Sequence, residues 1–168
     1  MKTLSDAAGQ QLYIVQPSVF KRYFEILFDE EVVGTLIFPK WYSVMPEVNF
    51  LKGKWILYKP SLWKSTVEIK EHNRQLPFSK YVRTSFKSEG VVELPRGQRL
   101  KISFKPFKGL CEIHDIRNKK LVSIKQNVSF KQKSEIAIEL KSELLDKYPW
   151  VIILAWHLFA QQRSGRKH

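Results

Sequence analysis

Two side chains of this sequence combine reactive types with a short spacing, because Cys111 and His114 lie three positions apart. A thiol beside an imidazole is the starting arrangement for a nucleophile and its base, or for two ligands of one metal ion. Both residues fall in a stretch that reads as a β-strand, and on a strand an odd separation puts side chains on opposite faces. We therefore interpret Cys111 as a buried structural residue.

The rest of the sequence carries no catalytic signature. It has no Gly-x-Ser-x-Gly elbow, no His-Glu-x-x-His and no glycine-rich phosphate loop, and its seven glycines leave little backbone for cradling a nucleotide. His157 is a single polar ring in an apolar segment, and we interpret it as a hydrogen-bonded core residue. We expect a protein that is not an enzyme, with no catalytic residue, no metal site and no cofactor.

Charge is the strongest functional signal in the chain. It has 29 Lys and Arg against 16 Asp and Glu, a net charge of +13, which favours nucleic acid, anionic lipid headgroups or an acidic protein surface as the partner. The densest basic stripe that can be placed geometrically is Arg99, Lys101 and Lys105 on one strand face, with Arg96 and Lys108 at the two turns. These five residues are the predicted anion-binding site, and a merely solvated outer face is the alternative.

Antiparallel strands must position this stripe. From Gln11 to about Lys141, apolar residues alternate with polar ones, and short polar or proline-containing segments interrupt the pattern at intervals typical of hairpins. The clearest strand runs over 99–105, where apolar side chains point to one face and the basic stripe to the other. The sequence therefore predicts consecutive strands with one dry face and one wet face.

The C-terminal segment has a different character. From Trp150 to Ala160 the chain is apolar in every helical direction except that of His157, so as a helix it must be surrounded by protein or lipid. The whole apolar run from Tyr148 to Ala160 holds about 13 residues and spans only ~20 Å as a helix, against ~30 Å of membrane hydrocarbon. We therefore predict a mainly β fold, a closed antiparallel β-barrel of about 10–12 strands that encloses this hydrophobic helix.

The domain organisation follows from these elements. We predict a flexible N-terminus over residues 1–10, a single barrel domain over 11–162 with its central helix at about 143–161, and a basic C-terminal tail over 163–168. A single cysteine excludes an intramolecular disulfide framework, and the first residues lack the apolar core of a signal peptide. We expect a protein without a transmembrane segment that is cytoplasmic or peripheral to a membrane.

Two segments of the chain echo each other, and they carry a family resemblance together with the helix. Glu25–Val33 and Glu112–Val122 each contain Glu-Ile, a charged turn with Asp and a second strand, although any two hairpins with polar turns look alike. This order of elements resembles the tubby-like barrel superfamily, which includes the tubby C-terminal domain, the phospholipid scramblases and the LURP-one-related proteins. The resemblance implies a closed barrel around a hydrophobic helix and an association with anionic phospholipid. Scramblase activity is not implied, because the chain has no cysteine-rich stretch and no calcium-loop pattern.

The function predicted from the sequence is non-enzymatic binding of an anionic phospholipid or membrane surface. Trp41, Tyr42 and Trp63 are of types that serve as interfacial contacts, although we assign most such aromatics to the core or its rim. One alternative is a nucleic-acid-binding β-barrel, which would use the same residue types for stacking. Another is a barrel that binds a lipophilic small ligand in an empty lumen. The sequence leaves the oligomeric state open.

Overall fold

The computed structural model describes residues 1–40, 45–60, 65–84, 88–126 and 133–165. Twelve strands lie in these ranges, and two α-helices follow them. The strands are β1 (Gln11–Val15), β2 (Tyr23–Phe28), β3 (Glu31–Ile37), β4 (Glu47–Phe50), β5 (Gly53–Tyr58), β6 (Thr66–Glu71), β7 (Ser79–Arg83), β8 (Glu89–Glu93), β9 (Arg99–Lys105), β10 (Leu110–His114), β11 (Lys120–Gln126) and β12 (Lys133–Ile138). The helices are α1 (Glu143–Lys147) and α2 (Trp150–Gly165).

The strands form one closed antiparallel barrel. Each strand pairs with its neighbours in sequence, and β1 closes the barrel by pairing with β12, where Leu12 lies opposite Ile136. Closure leaves no sheet edge with unpaired backbone groups. The predicted closed β-barrel is confirmed.

Alternation along the strands separates a lumen side from an outer wall. On β9, Leu100, Ile102 and Phe104 are at most 4% exposed, while the residues between them face outward. The same period runs through the other strands and lines the lumen with apolar side chains. Members of this lining include Leu12, Ile14, Ile26, Leu36, Val48, Phe50, Leu57, Val67, Ile69, Tyr81, Val92, Cys111, Ile113, Ile124 and Ile136.

Helix α2 occupies the lumen, as the sequence predicts. Its residues from Trp150 to Ala155 have no solvent exposure. Its side chains reach opposite parts of the wall: the Trp156 ring lies 4.9 Å from that of Phe24 on β2, and the Phe159 ring lies 6.4 Å from that of Phe104 on β9. The indole Nε1 of Trp156 also donates a 2.8 Å hydrogen bond to the hydroxyl of Ser134 on β12. The helix is therefore the centre of the hydrophobic core.

The segment predicted as one helix over about 143–161 is divided in the structure. α1 ends at Lys147 and α2 begins at Trp150, with Tyr148 in a non-helical conformation at φ −124° and ψ 62°. Pro149 explains the break, because its ring disfavours a helical residue before it and it has no N–H to donate. The proline thus directs the chain from the end of the barrel into the lumen.

The structure also differs from the prediction that residues 1–10 are flexible. Residues Leu4–Ala7 form a 3₁₀-helix, and its i and i+3 residues Leu4 and Ala7 are buried on one face. The Ser5 backbone N–H and hydroxyl donate to the carboxylate of Asp146 on α1 at 2.8 and 2.6 Å. The N-terminal residues therefore close the end of the barrel at which α2 enters.

The two echoing hairpins are β2–β3 and β10–β11. In both, the pairing register shifts immediately after the isoleucine of the Glu-Ile pair, at Ile26 and at Ile113. Their connections differ, because residues 29–30 join the first pair and residues 115–119 the second. The shared irregularity agrees with a repeated strand–turn–strand unit, which stays a prediction.

Candidate anion-binding surface

The predicted basic stripe lies along the outer wall of the barrel. Arg99, Lys101 and Lys105 alternate with lumen residues on β9, as the sequence indicates. Arg96 and Lys108 lie in the connections at its two ends, so they are on opposite ends of the barrel. β9 is about 20 Å long at ~3.3 Å per residue. The structure therefore places the five residues in a line and not around one point.

Two lysines of this stripe bind polar groups of neighbouring residues on the wall, one a carboxylate and the other a side-chain amide. Lys105 Nζ lies 2.6 Å from Oε1 of Glu112, and Lys101 Nζ donates a 2.9 Å hydrogen bond to Oδ1 of Asn118. Glu112 is only 5% exposed although it belongs to the outer wall, and Lys120 also approaches it at 3.6 Å. Burial acts to raise the pKa of Glu112, but the hydrogen bond and charge of Lys105, with Lys120 and His114, bring it below its usual value. Lys105 thus forms an ion pair with Glu112 on the neighbouring strand.

A different surface collects positive charge without carboxylates. Connections between successive antiparallel strands alternate between the two ends of the barrel. We call the end where β9 and the C-terminal half of α2 finish the exit end. The connections at the exit end are residues 16–22, 38–46, 59–65, 84–88, 106–109 and 127–132, and those at the opposite end are 29–30, 51–52, 72–78, 94–98, 115–119 and 139–142.

Composition separates the two ends. By sequence, the six exit-end connections contain eight Lys or Arg and no Asp or Glu, whereas the six at the opposite end contain six Lys or Arg and four Asp or Glu. Several of the exit-end cations lie in the described ranges and are exposed, among them Lys21 and Lys108. Neither of these two forms an ion pair within the described residues. By sequence, the exit-end connections therefore carry a net charge of +8, whereas those at the opposite end carry 6 − 4 = +2.

Exposed aromatic side chains stand beside these cations. Phe20 is 94% exposed next to Lys21, and Phe107 is 95% exposed next to Lys108. The neighbouring groove between Phe20 and Phe38 is mainly apolar, and the Arg22 guanidinium stacks on the Phe38 ring at 3.9 Å. The opposite end also exposes apolar residues, Leu76 and Ile116, but these are aliphatic. Among the residues that the structure describes, the exposed aromatic rings lie at the exit end, whose connections contain no Asp or Glu by sequence.

The electrostatics of the interior agree with a positive exit end. His157 on α2 is 6% exposed and its ring lies 5.5 Å from that of Phe38. Its pKa is lowered to about 4 by burial and, to a smaller extent, by the charges of Arg22 and Lys59. His157 is therefore neutral at physiological pH, and burial together with the nearby cations opposes its protonation.

The other residues singled out from the sequence are Cys111, His114, three aromatic residues and the basic tail. Cys111 is fully buried in the lumen, and burial raises the pKa of its thiol. His114 pairs in register with Lys101 on the outer wall, whereas Cys111 pairs with Phe104, which faces the lumen. The side chains of Cys111 and His114 therefore lie on opposite faces of β10 and do not meet. Across the ranges that the structure describes, no group of three His, Cys, Asp or Glu could hold a metal ion. Trp41, Tyr42 and Trp63 lie outside those ranges, as do the side chains of the predicted basic tail over 163–168.

Comparisons with known proteins identify no relative. Within the described residues, no helix has both the length and the hydropathy to cross a membrane. The resemblance to the tubby-like barrel superfamily is tested by none of these observations and stays a prediction. No protein-family model, no curated protein and no solved structure matches the chain.

Proposed function

We propose that this protein is a non-enzymatic domain that binds the surface of anionic phospholipid membranes through its exit end. The observation that carries the proposal is the exit-end composition, in which eight Lys or Arg stand without a single Asp or Glu. Each cation close to an anionic membrane surface contributes about 1 kcal/mol to binding. The exposed rings of Phe20 and Phe107 add an apolar contribution, because aromatic side chains favour the membrane interface.

This mode of binding gives the barrel a defined orientation. With the exit end on the membrane, the barrel axis is roughly perpendicular to the bilayer. Of the predicted stripe, Lys105 and Lys108 then lie near the membrane, whereas Arg96 and Arg99 lie about 20 Å further away along the wall. Because barrel strands tilt by about 35–45°, this length corresponds to a height of about 15 Å above the membrane. That is nearly two Debye lengths of about 8 Å at physiological ionic strength, so salt largely screens those two arginines from the lipid charge.

The filled lumen argues against the lipophilic-ligand alternative. α2 occupies the space that such a ligand would need, and Trp150, Ile153 and Leu154 are fully buried there. A ligand must therefore bind outside the core. The closed barrel around a C-terminal helix also agrees with the architecture of the tubby-like superfamily, and we propose membership on that basis.

Vesicle co-sedimentation with two matched double variants tests the proposal. Lys21→Glu with Lys108→Glu reverses two charges at the exit end, and Lys52→Glu with Arg96→Glu makes the same change in net charge at the opposite end. On vesicles of phosphatidylcholine with phosphatidylglycerol, we expect the first variant to bind at least ~30-fold more weakly, since two lost attractions of about 1 kcal/mol each amount to that factor. The second variant is expected to bind within a few-fold of the parent chain.

Equal losses in the two variants would refute the exit end as the binding surface, and no preference for phosphatidylglycerol over pure phosphatidylcholine would refute membrane binding itself. The nucleic-acid alternative is checked in the same experiment with a single-stranded oligonucleotide. Cationic grooves with aromatic rings also bind single strands. Tighter binding to the oligonucleotide than to the vesicles at equal ionic strength would replace the lipid proposal.

A further inference from the structure

A small pocket opens at the exit end, beside the C-terminal half of α2. It has a volume of about 200 Å³, and β5, β6, β7 and α2 each contribute residues to it or to the positions next to it. Its polar lining includes Lys59, Ser65, Arg83 and Gln162, and its floor includes Tyr81. None of the described residues that line it is a carboxylate.

Strand alternation explains why charged groups point into this pocket. Leu57 on β5 and Tyr81 on β7 face the lumen. Two positions nearer the exit end, Lys59 follows Leu57 and Arg83 follows Tyr81. Side chains two apart on an extended chain share a face. The lumen lining therefore changes from apolar to cationic at the mouth of the barrel, where the interior would normally end in uncharged residues.

Lys59 and Arg83 both line the pocket, and Arg83 is exposed at its rim. Within the described residues, neither Lys59 nor Arg83 forms an ion pair. β5 and β7 lie on either side of β6, so at ~4.8 Å per strand their backbones are about 10 Å apart. An anion in the pocket between them would approach both cations at once and relieve their mutual repulsion.

We propose that this pocket binds the phosphate monoester of a lipid headgroup, an inference that rests on the proposed membrane-binding function and names its ligand class. The Arg83 guanidinium offers the planar pair of donors that a phosphate accepts, and Lys59 supplies a second charge. Ser65 and Gln162 add neutral donors. The volume lies below the ~300 Å³ at which pockets for larger ligands begin, so the pocket suits a headgroup phosphate rather than a nucleotide.

The Tyr81 ring lines the floor of the pocket, and its hydroxyl lies against Gly90 on β8. Burial raises the pKa of this hydroxyl to about 12. The donors available to an anion in the pocket are therefore those of Lys59, Ser65, Arg83 and Gln162.

The test compares two anionic lipids that differ in the phosphate. Phosphatidic acid carries a phosphate monoester and phosphatidylglycerol a phosphate diester, and the two vesicle preparations are adjusted to equal zeta potential. We expect the parent chain to bind phosphatidic acid vesicles at least fivefold more tightly. Arg83→Gln and Lys59→Gln should each remove most of this preference, whereas Arg83→Lys should keep part of it. Circular dichroism and thermal melting check that each variant is folded.

Lys108→Gln is the matched control, because it removes one exit-end charge that does not line the pocket. It should weaken binding to both vesicles by the same factor and leave the preference intact. Equal binding of the parent chain to the two vesicles would overturn the pocket while leaving the proposed function standing. Loss of the preference in Lys108→Gln as well would overturn it too. Binding of soluble glycerol 3-phosphate as tightly as phosphatidic acid vesicles would overturn the lipid as its source.

Discussion

The exposed rings at the exit end give the sharpest test of the proposed membrane binding. Phe20 and Phe107 are 94% and 95% exposed, so nearly their whole side-chain surface is available to enter the interface. Full burial of a phenylalanine side chain is worth about 1.5–3 kcal/mol, and insertion to roughly half depth about 1 kcal/mol. The double variant Phe20→Ala with Phe107→Ala should therefore bind anionic vesicles about 30-fold more weakly, from a loss of ~2 kcal/mol.

Leu76→Ala with Ile116→Ala is the matched control for this variant. These side chains are 81% and 79% exposed at the opposite end, and they should not touch the membrane. The folded state should survive in both double variants, because surface substitutions change the free energy of unfolding by about 0.5 kcal/mol or less. Thermal melting checks that expectation before vesicle binding is measured by co-sedimentation.

Ionic strength separates the apolar contribution from the electrostatic one. Salt screens the attraction of the exit-end cations, so binding of the parent chain should weaken as salt is raised. The phenylalanine variant should weaken with the same slope from a lower starting affinity, while the variant Lys21→Glu with Lys108→Glu should show a flatter slope. The reasoning would be refuted by unchanged binding after loss of both rings, or by an equal loss in the control.

Two further predictions concern the helix in the lumen. Burial lowers the pKa of His157 to about 4 from its usual 6.5, so the unfolded chain takes up a proton before the folded one does as pH falls through that window. The free energy of unfolding should therefore drop by ~3 kcal/mol over this pH range. In urea unfolding, the variant His157→Phe should lack that part of the drop. A pH slope identical in the variant would contradict this. A chain that ends before Tyr148 should fail to fold, since removing eight fully or nearly fully buried apolar side chains over 150–159 costs of order 10 kcal/mol, as much as a typical domain's stability. A chain that ends at residue 162 should melt cooperatively, and a cooperative melt of the shorter chain would show that α2 is not the core.

The sequence predicts the barrel because two physical requirements meet in it. Alternating strands such as 99–105 need a partner for their apolar face, and the segment from Trp150 onward needs protein on every side. A closed barrel with the helix inside satisfies both at once. The details that the sequence did not predict depend on tertiary packing: Leu4 and Ala7 form a buried face only because the mouth of the barrel is there to receive them.

The surface was harder to predict than the core. The stripe Arg99, Lys101 and Lys105 is correctly placed on one face of β9, but its partner Glu112 comes from the next strand and is invisible to a single-strand pattern. The signal for the exit end was present in the connections. In a meander of antiparallel strands, alternate connections lie at the same end, so summing the charge over every second connection separates an acid-free end from a mixed one. That sum needs the strand order, which the sequence suggested but did not establish.

The filled lumen and the charged exit end are linked through the direction of α2. Pro149 turns the chain into the barrel at the end that the N-terminal 3₁₀-helix and α1 close, so α2 can finish only at the other end. At that end the lumen opens to solvent. The residues that line it change from Leu57 and Tyr81, which are buried, to Lys59 and Arg83, which are charged. A barrel filled by its own helix has no interior room for a ligand. The proposed binding would therefore use the outer wall or an end. Among the described residues, the exposed aromatic rings lie at the exit end, whose connections contain no Asp or Glu.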